Sequence, residues 1–185
     1  VESDTVEVYL GREYAHGLYA WIIPKRDGTA KIGLATKTDN PKKCLQKLMH
    51  THPVASKKLR KSKVVKEAYH PIPLGGTMPR TYHNGFLIVG DAASQVKPTT
   101  GGGVIMGLTC AKIAGESAQQ AIQQNDFSES FLSRYRQRCQ QAIGFDMAVM
   151  RQIRIMLNRL SDDKLDKIIC LCSELHMDEM LHRVK

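Results

Sequence analysis

The stretch that most restricts the fold is residues 86–104, FLIVGDAASQVKPTTGGGV. An apolar run of four residues ends in Gly90-Asp91, Pro98 follows, and three glycines at 101–103 lead into a long helical pattern. A strand that feeds a helix through such a loop leaves the first helical N–H groups without intrahelical acceptors. The aligned peptide dipoles also make that end of the helix positive. Glycines let another group come close to the backbone there. The junction therefore suits an anionic or electron-rich ligand. The plainer alternative is a connection whose glycines only permit tight packing.

The commonest phosphate-binding signatures are missing. Gly102 and Gly107 have the spacing of a phosphate loop, but Leu108-Thr109 stand where Lys-Ser/Thr is required. No G-x-G-x-x-G occurs anywhere in the chain. What remains is a different chemistry. Asp91, beside Gly90 at the strand end, is an acceptor suited to sugar or ribityl hydroxyls. A flat ring can lie against the bare backbone of Gly101, Gly102 and Gly103. The helix amides favour negative charge, which a reduced flavin carries along its N1–C2=O edge, by about 1 kcal/mol from the dipole. Pro98 stiffens the approach to the glycines.

Upstream, Val6, Val8 and Leu10 alternate with polar residues as in a strand. Residues 18–23 and 30–35 read as two more strands around KRDGT (25–29), whose Asp27-Gly28 is a hairpin signal. Asn40-Pro41 opens a helix, Pro53 stops it, and a short helix is expected over 54–60. Val64 to Tyr69 reads as a strand, and the proline- and glycine-rich stretch 70–85 reads as irregular throughout. Residues 86–89 read as a buried strand. The stripe Val104, Leu108, Ala111, Gly115, Ala118, Ile122 gives the next helix its apolar face. Asn125-Asp126 ends that helix and caps the following one. Leu132, Tyr135, Cys139 and Ala142, then Met150, Ile153, Leu157 and Leu160, mark one long helix or two stacked ones, and Ser161 caps a final helix.

The net charge of +9 is uneven: positions 42–66 carry nine Lys/Arg and no Asp or Glu. The segment is either a solvated helix face or a patch that meets anionic lipid headgroups or a substrate phosphate. It has no interleaved aromatics to stack bases, so no nucleic acid is expected. The apolar run 101–122 is broken by Lys112 and Glu116 and is not a membrane span. The five cysteines (44, 110, 139, 170, 172) have no framework spacing, which points to reduced thiols in a cytoplasmic setting. The histidines, His182 among them, show no ligand spacing with acidic partners, and no metal is expected.

Taken as a string, FLIVGDAA-x-x-V-x-P-x-x-GGG resembles the second flavin-binding motif of FAD-dependent monooxygenases and reductases. Residues 19–25, YAWIIPK, resemble the Tyr-x-Trp-x-Phe-Pro motif of the geranylgeranyl reductase family, with Ile23 in place of the usual Phe. The resemblance covers about residues 1–135. It implies an FAD cofactor bound by Gly90, Asp91, Pro98, Gly101, Gly102 and Gly103, and an isoprenoid lipid substrate lined by Tyr19, Trp21 and Pro24. It also implies reduction of C=C bonds in geranylgeranyl lipids by hydride from reduced FAD, with an unidentified electron donor. A dinucleotide turn is then expected upstream of Val1, and the segment alone is expected to hold FAD poorly.

The expected fold is α+β, in three parts. Residues 1–85 form an antiparallel-sheet substrate region with a basic helical insertion at 40–60. Residues 86–125 form the FAD-contacting strand–loop–helix, and 126–185 a helical C-terminal region. A peripheral place at an anionic membrane, through Lys42 to Lys66, fits the charge. Tyr19, Tyr82 and His83 are candidate proton donors by chemistry alone, and none is assigned the role. Two other readings stay open: another FAD-dependent oxidoreductase of this scaffold (monooxygenase, halogenase or quinone-linked dehydrogenase), and a non-catalytic lipid-surface or interaction module.

Overall fold

In the computed structural model, which describes residues 4–176, Asp27-Gly28 closes the predicted hairpin. Gly28 adopts φ +77°, which favours glycine. The Asp27 carboxylate accepts from the Thr29 amide (3.0 Å), and the Lys25 amide donates to the Thr29 carbonyl (2.8 Å). His182 and the rest of 177–185 lie outside the described residues. The fold is α+β, and the chain divides into two compact units, residues 1–69 with 157–185, and residues 70–156.

The first unit is built on an antiparallel sheet of β1 (Glu7–Tyr9), β2 (Ala20–Pro24) and β3 (Ala30–Leu34), in that order. Strand alternation sorts the residues into two faces. Ala20 and Ile22 point to a core closed by Leu48 of α2 (Pro41–Thr51) and by Ala55 and Leu59 of α3 (Ala55–Leu59). Full burial of Ile22 and of Leu48 contributes on the order of 2 kcal/mol each. The predicted cap of α2 is in place: the Asn40 side chain accepts from the Lys43 amide (3.1 Å), and Pro41 begins the helix. A single turn, α1 (Arg12–Ala15), ties in the later segment of the chain. The Arg12 amide donates to both Asp162 carboxylate oxygens, at 3.1 Å each. Its guanidinium donates to the carbonyls of Asn158 and Leu160 (3.1 and 2.7 Å).

The second unit carries a small hairpin, β4 (Tyr82–His83) with β5 (Phe86–Leu87), then α4 (Val104–Gln124) and α5 (Glu129–Leu157). Its core is Met106, Cys110 and Ile113 of α4 against Tyr135, Cys139, Ile143 and Met147 of α5. The last helix, α6 (Asp162–Glu174), begins after Ser161 as predicted and belongs to the first unit.

Five local expectations are corrected. Val64 to Tyr69 is not a strand: its β-branched residues fit one, but no backbone hydrogen bond engages the segment among the described residues, and Val65 is 90% exposed. The stretch 70–85 is irregular only to Thr81, because Asn84-Gly85, with Gly85 at φ +65°, makes a two-residue hairpin turn. The strand at 86–89 is shorter than expected and not buried, since Phe86 is 57% exposed. The stripe on α4 faces outward: Val104, Leu108, Ala111, Gly115, Ala118 and Ile122 are exposed, and Met106, Cys110, Ile113, Ser117 and Ala121 are buried instead. Ser117 is tolerated there because its hydroxyl donates to the Ile113 carbonyl (2.8 Å). Finally, α5 is capped by Ser128, whose hydroxyl accepts from the Phe131 amide (3.2 Å), while Asp126 makes the turn before it.

One histidine couples the first unit to pH. His52 follows α2, and its Nδ1 accepts from the amides of Val54 and Ala55 (3.2 Å each), capping α3. The Tyr9 and Tyr14 rings pack edge-on against it, at 4.7 and 4.8 Å between centroids. Burial holds His52 below its ordinary pKa, with Glu13 pulling the other way. The unfolded chain therefore binds the proton more readily, so stability is fully present above about pH 6.5 and falls as pH drops toward the folded value. Urea unfolding, followed by the single tryptophan in this unit, Trp21, should show a lower midpoint at about pH 5.5 than at 7.5. His52→Asn, which keeps a capping acceptor, should shrink that difference.

Candidate functional site

The glycine loop of the second unit begins where β5 runs out into an extended Val89. Gly90 (φ +72°) starts a 3₁₀ turn through Ala93, and Ser94 (φ +54°) ends it. The turn is held from beneath by a buried amide. Gln95, 1% exposed, accepts from the Gly90 amide through Oε1 (2.7 Å) and returns its own amide to the Gly90 carbonyl (3.0 Å). Its Nε2 donates to the Tyr135 hydroxyl (3.0 Å), which donates to the Ile88 carbonyl (2.9 Å). Every polar atom in this relay has a partner, as a buried network requires.

The rest of the loop closes on itself. The Gly101 amide donates to the Lys97 carbonyl (2.9 Å), and the Lys97 amide to the Gly102 carbonyl (3.1 Å). Gly101 sits at φ +72°. Pro98 is fully buried, and its carbonyl accepts from the Arg154 guanidinium (3.1 Å). Burial lowers the pKa of Arg154.

Above this scaffold the predicted residues converge at the start of α4. The exposed Asp91 carboxylate lies against Gly103: a Cβ at position 103 would come within 2.7 Å of Asp91 Oδ1 and 3.4 Å of Val96. The amides of Gly103, Val104, Ile105 and Met106 donate to no group among the described residues, and the first bond of the helix is from the Gly107 amide to the Gly103 carbonyl (2.7 Å). Gly107 permits the approach of α4, since a Cβ there would touch the Gly90 Cα at 3.5 Å. The result is a carboxylate acceptor beside a row of free donors at a positive helix end. The pair can take hydroxyl groups on one side and an electron-rich edge on the other.

In the first unit, Tyr19, just before β2, and Trp21 within it have ring centroids 5.7 Å apart. Trp21 pairs with Val8 on one side and Gly33 on the other, so these three share the sheet face opposite the core. The indole lies across Gly33, where a Cβ would meet it at 2.3 Å. Trp21 is half-buried and not part of the core, and Val8 is exposed beside it. Pro24 closes β2 opposite Ala30. Tyr82 packs beside Ala121, Phe131 and Leu132, and the exposed His83 faces Glu129 at 3.7 Å.

Sequence reasoning missed Gln95, Arg154 and Gly33, and it read Tyr135 only as part of an apolar stripe; Gly107 is legible as a small residue that permits close approach of another backbone, which it does at Gly90. Gly33 had a signal, a glycine inside a strand, which marks a place where something lies close to the backbone. Gln95 had none, because nothing in a single sequence says that a glutamine is buried.

Comparison with known proteins gives a consistent answer. Residues 1–69 match the geranylgeranyl reductase catalytic domain. The whole chain aligns, at 33% identity, with digeranylgeranylglycerophospholipid reductase 2 of Methanopyrus kandleri, of which it covers 47%. At 36% identity it aligns over 91% of its length with digeranylgeranylglycerophospholipid reductase 2 of Methanothermobacter thermautotrophicus, covering 43% of that protein. The chain thus spans less than half the length of the curated relatives it matches. A solved structure, a geranylgeranyl bacteriochlorophyll reductase-like protein from Thermoplasma acidophilum, superposes with a TM-score of 0.84 at 26% identity, over 94% of this chain and 44% of that one. With the motifs at 19–25 and 86–104, these matches show that the chain belongs to the geranylgeranyl reductase family.

Proposed function

We propose that this chain supplies the flavin-facing loop and part of the lipid-facing wall of a reductase that saturates C=C bonds of geranylgeranyl lipids. The observation that carries the reading is the Asp91 carboxylate set against Gly103, next to four helix-start amides with no acceptor among the described residues. A bare glycine in contact with a carboxylate is a cradle that any side chain would fill. Its donor and acceptor chemistry fits FAD: Asp91 would accept from ribityl hydroxyls, and the amides of residues 103–106 would face the electron-rich edge of the ring. When bound, reduced FAD supplies the hydride. Relatives named digeranylgeranylglycerophospholipid reductases support a diprenyl glycerophospholipid as the substrate class.

The chain's own residues hold and shield. Gln95 and Tyr135 fix the turn that aims Asp91, and Gly101 to Gly103 keep the approach clear. Tyr19, Trp21 and Val8 offer an apolar surface on which an isoprenoid tail can lie with water excluded. In this reading residues 1–85 serve the lipid and 86–125 the cofactor.

Two outcomes are expected. Titration of FAD into the protein, read by flavin fluorescence, should give a weak affinity, as expected of this segment alone, that Asp91→Ala lowers by roughly a further ten- to a hundredfold, the loss of charge-assisted hydrogen bonds. Gly103→Ala should do the same by displacing the carboxylate, with little change in the thermal midpoint, because the displaced atoms are the far end of an exposed side chain. Unchanged affinity in both variants refutes the cradle. Separately, a geranylgeranyl glycerolipid should shift Trp21 emission saturably, and Val8→Asp, which places charge beside the indole, should abolish the shift. Emission that ignores the lipid argues against the wall.

A further inference from the structure

We infer that the cationic stretch from Lys42 to Lys66 docks this chain onto an anionic lipid bilayer. The inference does not depend on the flavin site. Ion pairs take up three of the nine cations: Lys42 with Glu67 (3.6 Å), Lys47 with Glu13 (3.0 Å) and Lys58 with Glu7 (2.7 Å). Lys43, Lys57, Arg60, Lys61, Lys63 and Lys66 have no ion-pair partner among the described residues, and all six are exposed: Lys43 on α2, Lys57 on α3 and the other four after it. The two helices turn Leu48, Ala55 and Leu59 into the core, so the cations are left on the solvent side.

Apolar residues stand among these charges. Val54 joins α2 to α3, and Val64 and Val65 follow Lys63, all three exposed. Cations around isolated exposed valines suit a bilayer interface, where the charges meet lipid phosphates and the methyl groups reach the acyl boundary. A nucleic-acid groove would call for stacking aromatics, and positions 42–66 hold no Phe, Trp or Tyr. The core of a protein interface is depleted in lysine. No helix among the described residues is long and apolar enough to cross a membrane.

Co-sedimentation of the full chain with vesicles tests the inference. Binding is expected to vesicles of phosphatidylcholine mixed with phosphatidylglycerol, not to phosphatidylcholine alone, and should fall steeply with salt. Replacing Lys57, Arg60, Lys61 and Lys63 with Gln should weaken binding roughly fivefold per side chain. A control that replaces Lys112, Arg136, Lys164 and Lys167 with Gln has the same net charge and should retain most of the binding. Val65→Ser should reduce the binding that survives high salt. Equal losses in the two charge variants would show bulk attraction and overturn the inference, as would charge-independent binding to both vesicles. Tighter binding to an RNA duplex than to the anionic vesicles would also overturn it, in favour of a nucleic-acid surface.

Discussion

The side-chain amide of Gln95 makes the hydrogen bonds on which the geometry of the glycine loop depends. It joins the end of β5, the 3₁₀ turn and α5 through Gly90, Tyr135 and Ile88. Gly90 and Ser94 both lie at positive φ, and Ser94 has no glycine's freedom there. A turn so shaped needs something to over-determine it. The amide does this with an acceptor and a donor at once, which no apolar residue of the same size could do. Burying such a group is costly if any bond is lost, so the relay behaves as a unit: Tyr135 must donate to Ile88 for its oxygen to be free to accept from Gln95.

From that fixed turn follows the arrangement above it. Asp91 lies over Gly103, and a side chain at 103 would displace it. The carboxylate stands near the positive end of α4, where its charge is favoured. The same helix end keeps donors free because no residue of the loop caps it with a side chain. A conventional Ser or Asp cap at 103 would stabilise α4 by about 1 kcal/mol, and it would close the site. The bare start of the helix is thus stability forgone for an open donor row, the kind of local rule-breaking that marks functional places.

Much of this was legible in the residues. The Asp27-Gly28 hairpin, the Asn40-Pro41 start of α2 and the Gly90–Asp91–Gly103 convergence all rest on local chemistry that a sequence displays. The errors lie where partners decide. Val64-Val65 has strand propensity, but a strand exists only with another beside it. On α4 two faces have helical spacing, and the more hydrophobic one, through Val104 and Ile122, is the one turned outward. Hydropathy points to the wrong face, because Cys110 and Ser117 on the buried face are small and weakly apolar. Asn84-Gly85 was a strong turn signal overlooked among the prolines around it. Gln95 and Arg154 stayed hidden because their importance comes from where the chain buries them, not from what they are.

The proposed reaction asks little of charged groups at the bond that is reduced. An isolated alkene develops no oxyanion, so an oxyanion hole or a metal would have nothing to stabilise. What remains for a protein is to hold a flexible apolar chain still near a hydride source, to keep bulk water away and to let a proton reach the second carbon. Holding is done by surface and shape, with residues such as Trp21 laid flat over Gly33, and these look like ordinary packing in a sequence. The features that do speak are the ones with a cost: a helix left uncapped, a glycine that must stay bare, and a basic stretch in which six of nine cations meet no acid among the described residues.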